Sequence, residues 1–351
     1  MREPEIAVGP DLVMLIAEID EFKGRWDSLR MLSPDHLSAL RKVATIESVG
    51  SSTRIEGSKL SDAEVEDLLS RALSSRSFMT RDEEEVAGYA EAMDLVFEAW
   101  ADMRLTENHI RQLHQILLRH SGKDERHRGS YKMISNNVSA YDADGREIGV
   151  VFATTSPFDT PGEMAALVAW AQKALDEAGL HPLLTIAVFI VTFLAVHPFQ
   201  DGNGRLSRVL TTLLLLRAGY AYVPYSSLER VIEENKDLYY LALRRTQTSL
   251  RSESPDWNPW MGFFLRALKR QKDSLAMRME QQQVVRGREA GLPELSARIL
   301  EALRVKERLT IAQLAVVTGA NRNTLKVRLR ELVADGRLRR HGQARATWYS
   351  L

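Results

Sequence analysis

The sequence predicts a mainly α-helical chain, a helical bundle with one small β-hairpin followed by a C-terminal winged helix. Three observations predict it. Apolar residues recur at helical spacing over most of the first 280 positions. Glycines and alternating residues concentrate in a single stretch, 121–160. Beyond a polar break near 280–293 come three short helical patterns and a basic, Gly-containing tail.

Leu12–Leu32, His36–Val49, Ala63–Leu73, Asp82–Ala101 and Glu107–Leu118 each place apolar residues on one helical face. Ser61-Asp62-Ala63-Glu64 has the capping-box order that starts a helix. Tyr131–Val138 and Ile148–Ala153 alternate and predict a hairpin turning near Asp142-Ala143-Asp144-Gly145. Helices are expected again over Pro161–Ala178, Leu183–Val196, Gly204–Ala218, Leu228–Leu250 and Trp257–Glu280. Glu280–Glu289 loses apolar periodicity and, with Gly291 and Pro293, reads as a linker. Leu295–Val305, Thr310–Thr318, Asn321–Ala334 and the hairpin-like Asp335–Leu351 then make a winged helix-turn-helix.

Composition excludes several classes. The chain has no cysteine, so disulfides and thiolate chemistry are out, and a reducing, cytoplasmic setting is expected. The N-terminus opens with acids and proline instead of a basic and then apolar leader, so no secretory signal is expected. Leu183–Val196 is too short to span a bilayer and reads as a buried core helix, so no membrane partner is expected. A net charge of zero hides an asymmetry. Residues 288–351 carry 13 Lys/Arg against 6 Asp/Glu, and the remainder is acidic by the same margin. Two modules with different partners follow from that division.

The densest chemistry lies at His197-Pro198-Phe199-Gln200-Asp201-Gly202-Asn203-Gly204-Arg205-Leu206-Ser207-Arg208, wedged between two apolar helices. Unpaired polar groups are costly to bury there, and a phosphate-bearing ligand is the simplest reason for them. Gly202, Asn203 and Gly204 can turn backbone N–H groups inward as an anion nest, to which a helix N-terminus adds its dipole. Arg205 and Arg208, one turn apart, can reach a polyphosphate. Asp201 can hold Mg²⁺ with phosphate oxygens and water, and a neutral His197 can take a proton from an attacking hydroxyl.

This run, His-Pro-Phe-x-x-Gly-Asn-Gly-Arg-x-x-Arg, resembles the signature of Fic-domain proteins at every fixed position. The resemblance implies a helical Fic bundle and transfer of AMP from ATP to a Ser, Thr or Tyr hydroxyl of a target protein, or of the chain itself. His197 would be the general base, Asp201 the Mg²⁺ ligand and Phe199 a packing anchor. Gly202, Asn203, Gly204, Arg205 and Arg208 would hold phosphates. Glycine at 204, where phosphorylating relatives typically carry lysine, favours AMP as the group moved. Asn235 and Tyr239 fall where relatives line the adenosine pocket. The 131–153 hairpin falls where relatives have a target-binding flap, although Lys132 stands where an arginine is expected after Gly129.

Ser52-Thr53-Arg54-Ile55-Glu56-Gly57 resembles the inhibitory-helix motif of the self-inhibited members, which implies that Glu56 pairs with Arg208 and displaces phosphate. The expected organisation is an N-terminal helical region 1–110 with the inhibitory helix at about 45–57, a catalytic domain 111–275, a linker 276–293 and a winged helix 294–351. Three functional alternatives stay open: AMP transfer, transfer from another nucleotide donor such as UTP or CDP-choline, and a DNA-binding regulator that senses nucleotide without turnover. In the winged helix, Leu325, Leu329 and Leu332 share one face, and Asn323, Lys326, Val327 and Arg330 lie opposite. With Arg337, Arg339, Arg340 and Arg345 on the wing, this suits DNA, although such modules also dock proteins or make homodimers.

Overall fold

The computed structural model describes residues 4–29, 34–72, 78–141, 147–177, 179–289, 292–306, 308–343 and 347–351. The expected turn Asp142–Gly145 and Arg345 lie outside these. Fourteen α-helices and five short strands are found among the described residues. The chain divides into a unit over Met1–Leu275 and a second over Ala276–Leu351. No helix among the described residues is long and apolar enough to cross a membrane.

The first unit is built around α7 (Pro182–Val196) and α8 (Asn203–Arg217), which pack together. Twelve of the fifteen α7 residues are buried, including Phe189 and Phe193, and α8 buries Leu206, Val209, Leu210 and Leu213. Each such side chain contributes about 1.5–3 kcal/mol on burial. α4 (Arg81–Ala99) starts with a complete capping box between Thr80 and Glu83 and lies against α5 (Glu107–Leu117). A Cβ at Gly88 would meet the Leu117 carbonyl, so only glycine permits that approach. α11 (Asn258–Glu289) is pinned to α7 by Trp260, whose indole N–H donates to Ala187 O at 2.7 Å.

Three further elements shape the site. α2 (Pro34–Ile55) packs on α4 and on the short α9 (Leu228–Glu234). The expected box at Ser61–Glu64 opens α3 (Asp62–Ala72), with Ser61 N–H donating to Glu64 Oε2 at 2.8 Å. Strands β1 (Val138–Tyr141) and β2 (Glu147–Phe152) pair antiparallel, with two register shifts.

Expected boundaries differ in three places. The hairpin strand begins at Val138, because Tyr131 and Lys132 are buried instead of alternating. Leu228–Leu250 is two helices, α9 and α10 (Lys236–Ser249), broken where Asn235 caps α9. The stretch read as a linker stays helical to Glu289, in keeping with its Glu, Gln and Arg residues, which are good helix formers.

In the second unit α12 (Glu294–Val305), α13 (Ile311–Thr318) and α14 (Arg322–Ala334) enclose Ile299, Leu303, Leu314, Leu325, Leu329 and Leu332. A three-stranded sheet ordered β3 (Leu309–Thr310), β5 (Trp348–Ser350), β4 (Arg339–His341) completes a winged helix.

Candidate active site

α7 ends at Val196, and His197 adopts the left-handed conformation at φ 52°, ψ 59°. It is the only non-glycine residue with positive φ among the described residues. Such a conformation costs about 1–3 kcal/mol and persists only where its surroundings impose it. Pro198 follows and prevents the helix from continuing. The ring Nδ1 lies 3.3 Å from Leu194 O. A carbonyl can only accept, so Nδ1 carries the proton and Nε2 keeps a lone pair. Burial drives the His197 pKa down to about 4, helped by Lys132 and opposed by the Leu194 carbonyl, Glu56 and Asp201. At neutral pH His197 is an uncharged base.

The loop is braced from inside. Asn203 Oδ1 accepts from Phe199 N–H at 2.9 Å, and its Nδ2 donates to Phe199 O at 2.7 Å. The Asn203 side chain is therefore spent on closing the loop, and its backbone N–H stays at the start of α8. Gly202 has φ 78°, which suits a residue without Cβ. Phe199, fully buried, stacks on His114 with centroids 3.8 Å apart. His114 Nδ1 accepts from Gly129 N–H at 3.0 Å, and its Nε2 donates to Asp201 O at 3.0 Å. Burial holds this imidazole neutral, with a pKa of about 4.

Asp201 Oδ1 accepts from Gly202 N–H at 2.6 Å, and Oδ2 lies 3.2 Å from Arg81 Nη2. Arg205 Nη2 is 3.5 Å from Oδ1. Burial favours the protonated acid, but Arg205, the Gly202 N–H, Arg81 and Lys123 outweigh it and hold the Asp201 pKa below its usual value. Arg205 is buried, with Nη1 3.1 Å from Glu85 Oε2, and Glu85 also binds Arg81 Nε at 2.8 Å. Arg205 Nε has no hydrogen-bond partner.

Arg208 faces elsewhere. Its Nε donates to Ser52 Oγ at 2.8 Å, and Nη2 donates to Ser52 O at 2.9 Å and to Glu56 Oε1 at 2.8 Å. Burial opposes the Arg208 charge, and the Glu56 carboxylate more than restores it, raising the pKa. Arg208 Nη1 is buried without a partner. A Cβ on Gly204 would collide with Glu56 Oε1, so glycine is what lets this carboxylate lie against the first turn of α8. A helix N-terminus and a guanidinium thus converge on Glu56, as they would on an anion.

The two arginines one turn apart therefore point at different acids: Arg205 at Asp201 and Glu85, Arg208 at Glu56. Tyr239, buried in α10, lies within electrostatic reach of Arg208 and Glu56. Asn235 does not join them. Its amide donates to Val231 O at 2.8 Å and accepts from Arg270, and it lines a separate pocket with Leu238, Arg245 and Phe263. Sequence reasoning missed His114, Arg81 and Glu85. Only His114 left a signal, as a histidine on the buried face of α5 beside Ile110, Leu113 and Leu117.

Residues 104–215 match the Fic/DOC family, and residues 293–339 match a winged helix-turn-helix described as DNA-binding. The protein adenylyltransferase Fic of Drosophila persimilis is 26% identical over 192 residues, covering 54% of this chain and 34% of that protein. That of Aedes aegypti is 25% identical over 201 residues, covering 55% and 37%. The chain thus spans about a third of the length of these curated relatives. Among solved structures, a Fic family protein from Desulfovibrio desulfuricans G20 aligns at TM-score 0.65 and 24% identity, covering 99% of this chain and 98% of that one. A Fic domain containing signaling protein from Bacteroides thetaiotaomicron aligns at TM-score 0.61 and 24% identity over 75% and 97%. These two alignments concern fold. Residues 104–215 are a Fic/DOC domain, and a winged helix-turn-helix follows it in the same chain.

Proposed function

We propose that this chain is a protein adenylyltransferase that moves AMP from ATP to a Ser, Thr or Tyr hydroxyl of a target protein or of itself, and that Glu56 restrains it. The observation that carries the reading is a neutral His197, with Nε2 unprotonated, on the same short loop as an anion-binding helix N-terminus. The curated relatives named above, adenylyltransferases by name, match this region. In the reaction the acceptor oxygen bonds to the α-phosphorus and its proton passes to His197 Nε2. The bond from the α-phosphorus to the bridging oxygen breaks, and pyrophosphate leaves with that electron pair.

The first N–H groups of α8 and the unpartnered donors of Arg205 and Arg208 would bind phosphate oxygens. Asp201, ionised and partly exposed, would hold Mg²⁺, which neutralises phosphate charge when bound. Mg²⁺ is commonly held by one carboxylate together with phosphate oxygens and water, which is the set Asp201 would complete. Glu56 on Arg208 occupies the place of a distal phosphate, so ATP entering beside it would present its α-phosphate out of line.

The test uses the Glu56→Gly variant, Mg²⁺ and ATP labelled at either the α- or the γ-phosphate, with cell extract as a source of acceptors. Label from the α position should remain on protein and label from the γ position should not. Retention of γ-label would mean phosphoryl transfer, and no label from either position would sink the reading. Labelled UTP or CDP-choline in place of ATP decides between donors.

For the second unit we propose DNA binding through α14. Arg322, Asn323, Lys326, Val327 and Arg330 are exposed on it, opposite buried Leu325, Leu329 and Leu332. Replacing Lys326 and Arg330 by alanine should reduce the salt slope of DNA affinity by about one per residue. Unchanged slopes would assign the module to protein docking.

A further inference from the structure

We propose that Lys132 and Asn136 are positioning residues, which impose the left-handed backbone of His197 by holding four successive carbonyls of the catalytic loop. Lys132 Nζ donates to Val196 O at 3.0 Å, and the Lys132 backbone N–H donates to Pro198 O at 2.8 Å. Asn136 Nδ2 donates to Phe199 O at 2.6 Å and, more weakly, to His197 O at 3.4 Å. Carbonyls 196, 197, 198 and 199 thus all accept from one five-residue segment. Carbonyls 196 and 197 are among those that a helix ending at Val196 leaves without an intrahelical donor.

The two side chains are also tied to each other. Lys132 Nζ donates to Asn136 Oδ1 at 2.8 Å and to Thr154 Oγ1 at 2.9 Å, so all three ammonium protons are used. Thr154 Oγ1 donates in turn to Asn136 Oδ1 at 3.1 Å. Lys132 is 3% exposed, and burial lowers its pKa to about 8. A buried cation is retained only where each donor finds a partner, and here the partners include the last carbonyl of α7. The negative end of that helix faces the ammonium, which adds to the attraction.

The cluster joins two parts of the site. Asn137 Oδ1 accepts from Thr154 N–H at 3.1 Å, which closes the base of the β1–β2 hairpin on the same residues. The hairpin and His197 therefore share one support, and an acceptor chain laid along the hairpin would be registered to the base through it.

This inference rests on the adenylyl-transfer reading, and its test separates the two. Lys132→Met and Asn136→Asp are each made in the Glu56→Gly background. Lys132→Met removes the donors at similar length, and Asn136→Asp replaces the amide donor with a carboxylate facing carbonyls 197 and 199. Incorporation of AMP from ATP should fall by about 10²-fold in kcat, with KM for ATP unchanged, the scale of a misplaced catalytic group. The ¹⁵N shifts of His197 should show loss of the Nδ1-protonated tautomer. Unchanged kcat in either folded variant would overturn the inference, as would a loss confined to KM with the tautomer kept. If the Glu56→Gly parent transfers nothing, the functional reading fails and the tautomer alone decides the positioning role. If circular dichroism shows Lys132→Met unfolded, Asn136→Asp decides.

Discussion

The two ends of the 197–208 loop are held by opposite means. At the histidine end the loop is held through backbone carbonyls and no acid takes part: Leu194 O binds the ring, and the Asn136 amide and the Lys132 ammonium bind the carbonyls. At the arginine end the partners are charges, Glu56 on Arg208 and Asp201 with Glu85 on Arg205. The first arrangement leaves no exchange open, because a buried donor or carbonyl pulled out of it would leave a polar group unsatisfied. The second is exchangeable, because a phosphate can take the place of a carboxylate on a guanidinium at little cost. On the proposed function, the base is therefore set in advance and control lies eleven residues further on, at Arg208.

His197→Ala should break the fixed end most severely. Transfer should fall by about 10²–10⁴-fold, the usual contribution of a general base, with ATP affinity retained in an equilibrium binding assay. A loss of affinity of the same size would place His197 in nucleotide binding instead.

Acid should act on the fixed end next. Folded His114 and His197 stay neutral to about pH 4, whereas the unfolded chain protonates them near 6.5. The unfolded state thus binds more protons between those values. Stability should fall as pH drops from 6.5 to 4 and level off below, by on the order of 3 kcal/mol per histidine. Urea unfolding across that range measures it, and His114→Gln should flatten the slope.

At the exchangeable end, Glu56→Gly should raise transfer by about 10–100-fold, the worth of one charge-assisted hydrogen bond. It also leaves the buried Arg208 without its acid, so the ligand-free variant should melt below wild type. ATP should raise its Tm by more than it raises that of wild type. Equal ATP-induced shifts would mean that phosphate and Glu56 do not compete.

A smaller effect is expected from the anchor of the end of α2, which carries the proposed restraint. Arg54, two residues before Glu56, donates to Glu233 at 2.6 and 3.0 Å and pairs with Asp62 at 2.9 Å. Glu233→Gln should loosen α2 and raise transfer several-fold, less than Glu56→Gly does. No rise would mean that the packing of Ile55 and Thr53 alone holds the helix.

Sequence made one end of the loop more legible than the other. Glu56 and Arg208 sit 152 residues apart, yet each lies in a compact pattern, and the structure joins them. His197 was equally visible, but what orients it was not. Lys132 stood out only as a departure from an expected arginine, and Asn136 not at all, because carbonyl acceptors leave no trace in a residue pattern. The Asn203 side chain, which closes the loop on Phe199, likewise leaves no mark in the pattern, where only its backbone N–H is legible. The helix read as continuous over 228–250 breaks at Asn235, which caps α9.

The claim that a preset base waits on a contested arginine is tested most directly by intact mass. Wild type and Glu56→Gly are incubated side by side with ATP and Mg²⁺, with the Glu56→Gly, His197→Ala double variant as control. Addition of one AMP to Glu56→Gly, at least about tenfold faster than to wild type and absent from the control, is the expected result. Equal rates in wild type and Glu56→Gly, or an adduct that survives loss of His197, would contradict it.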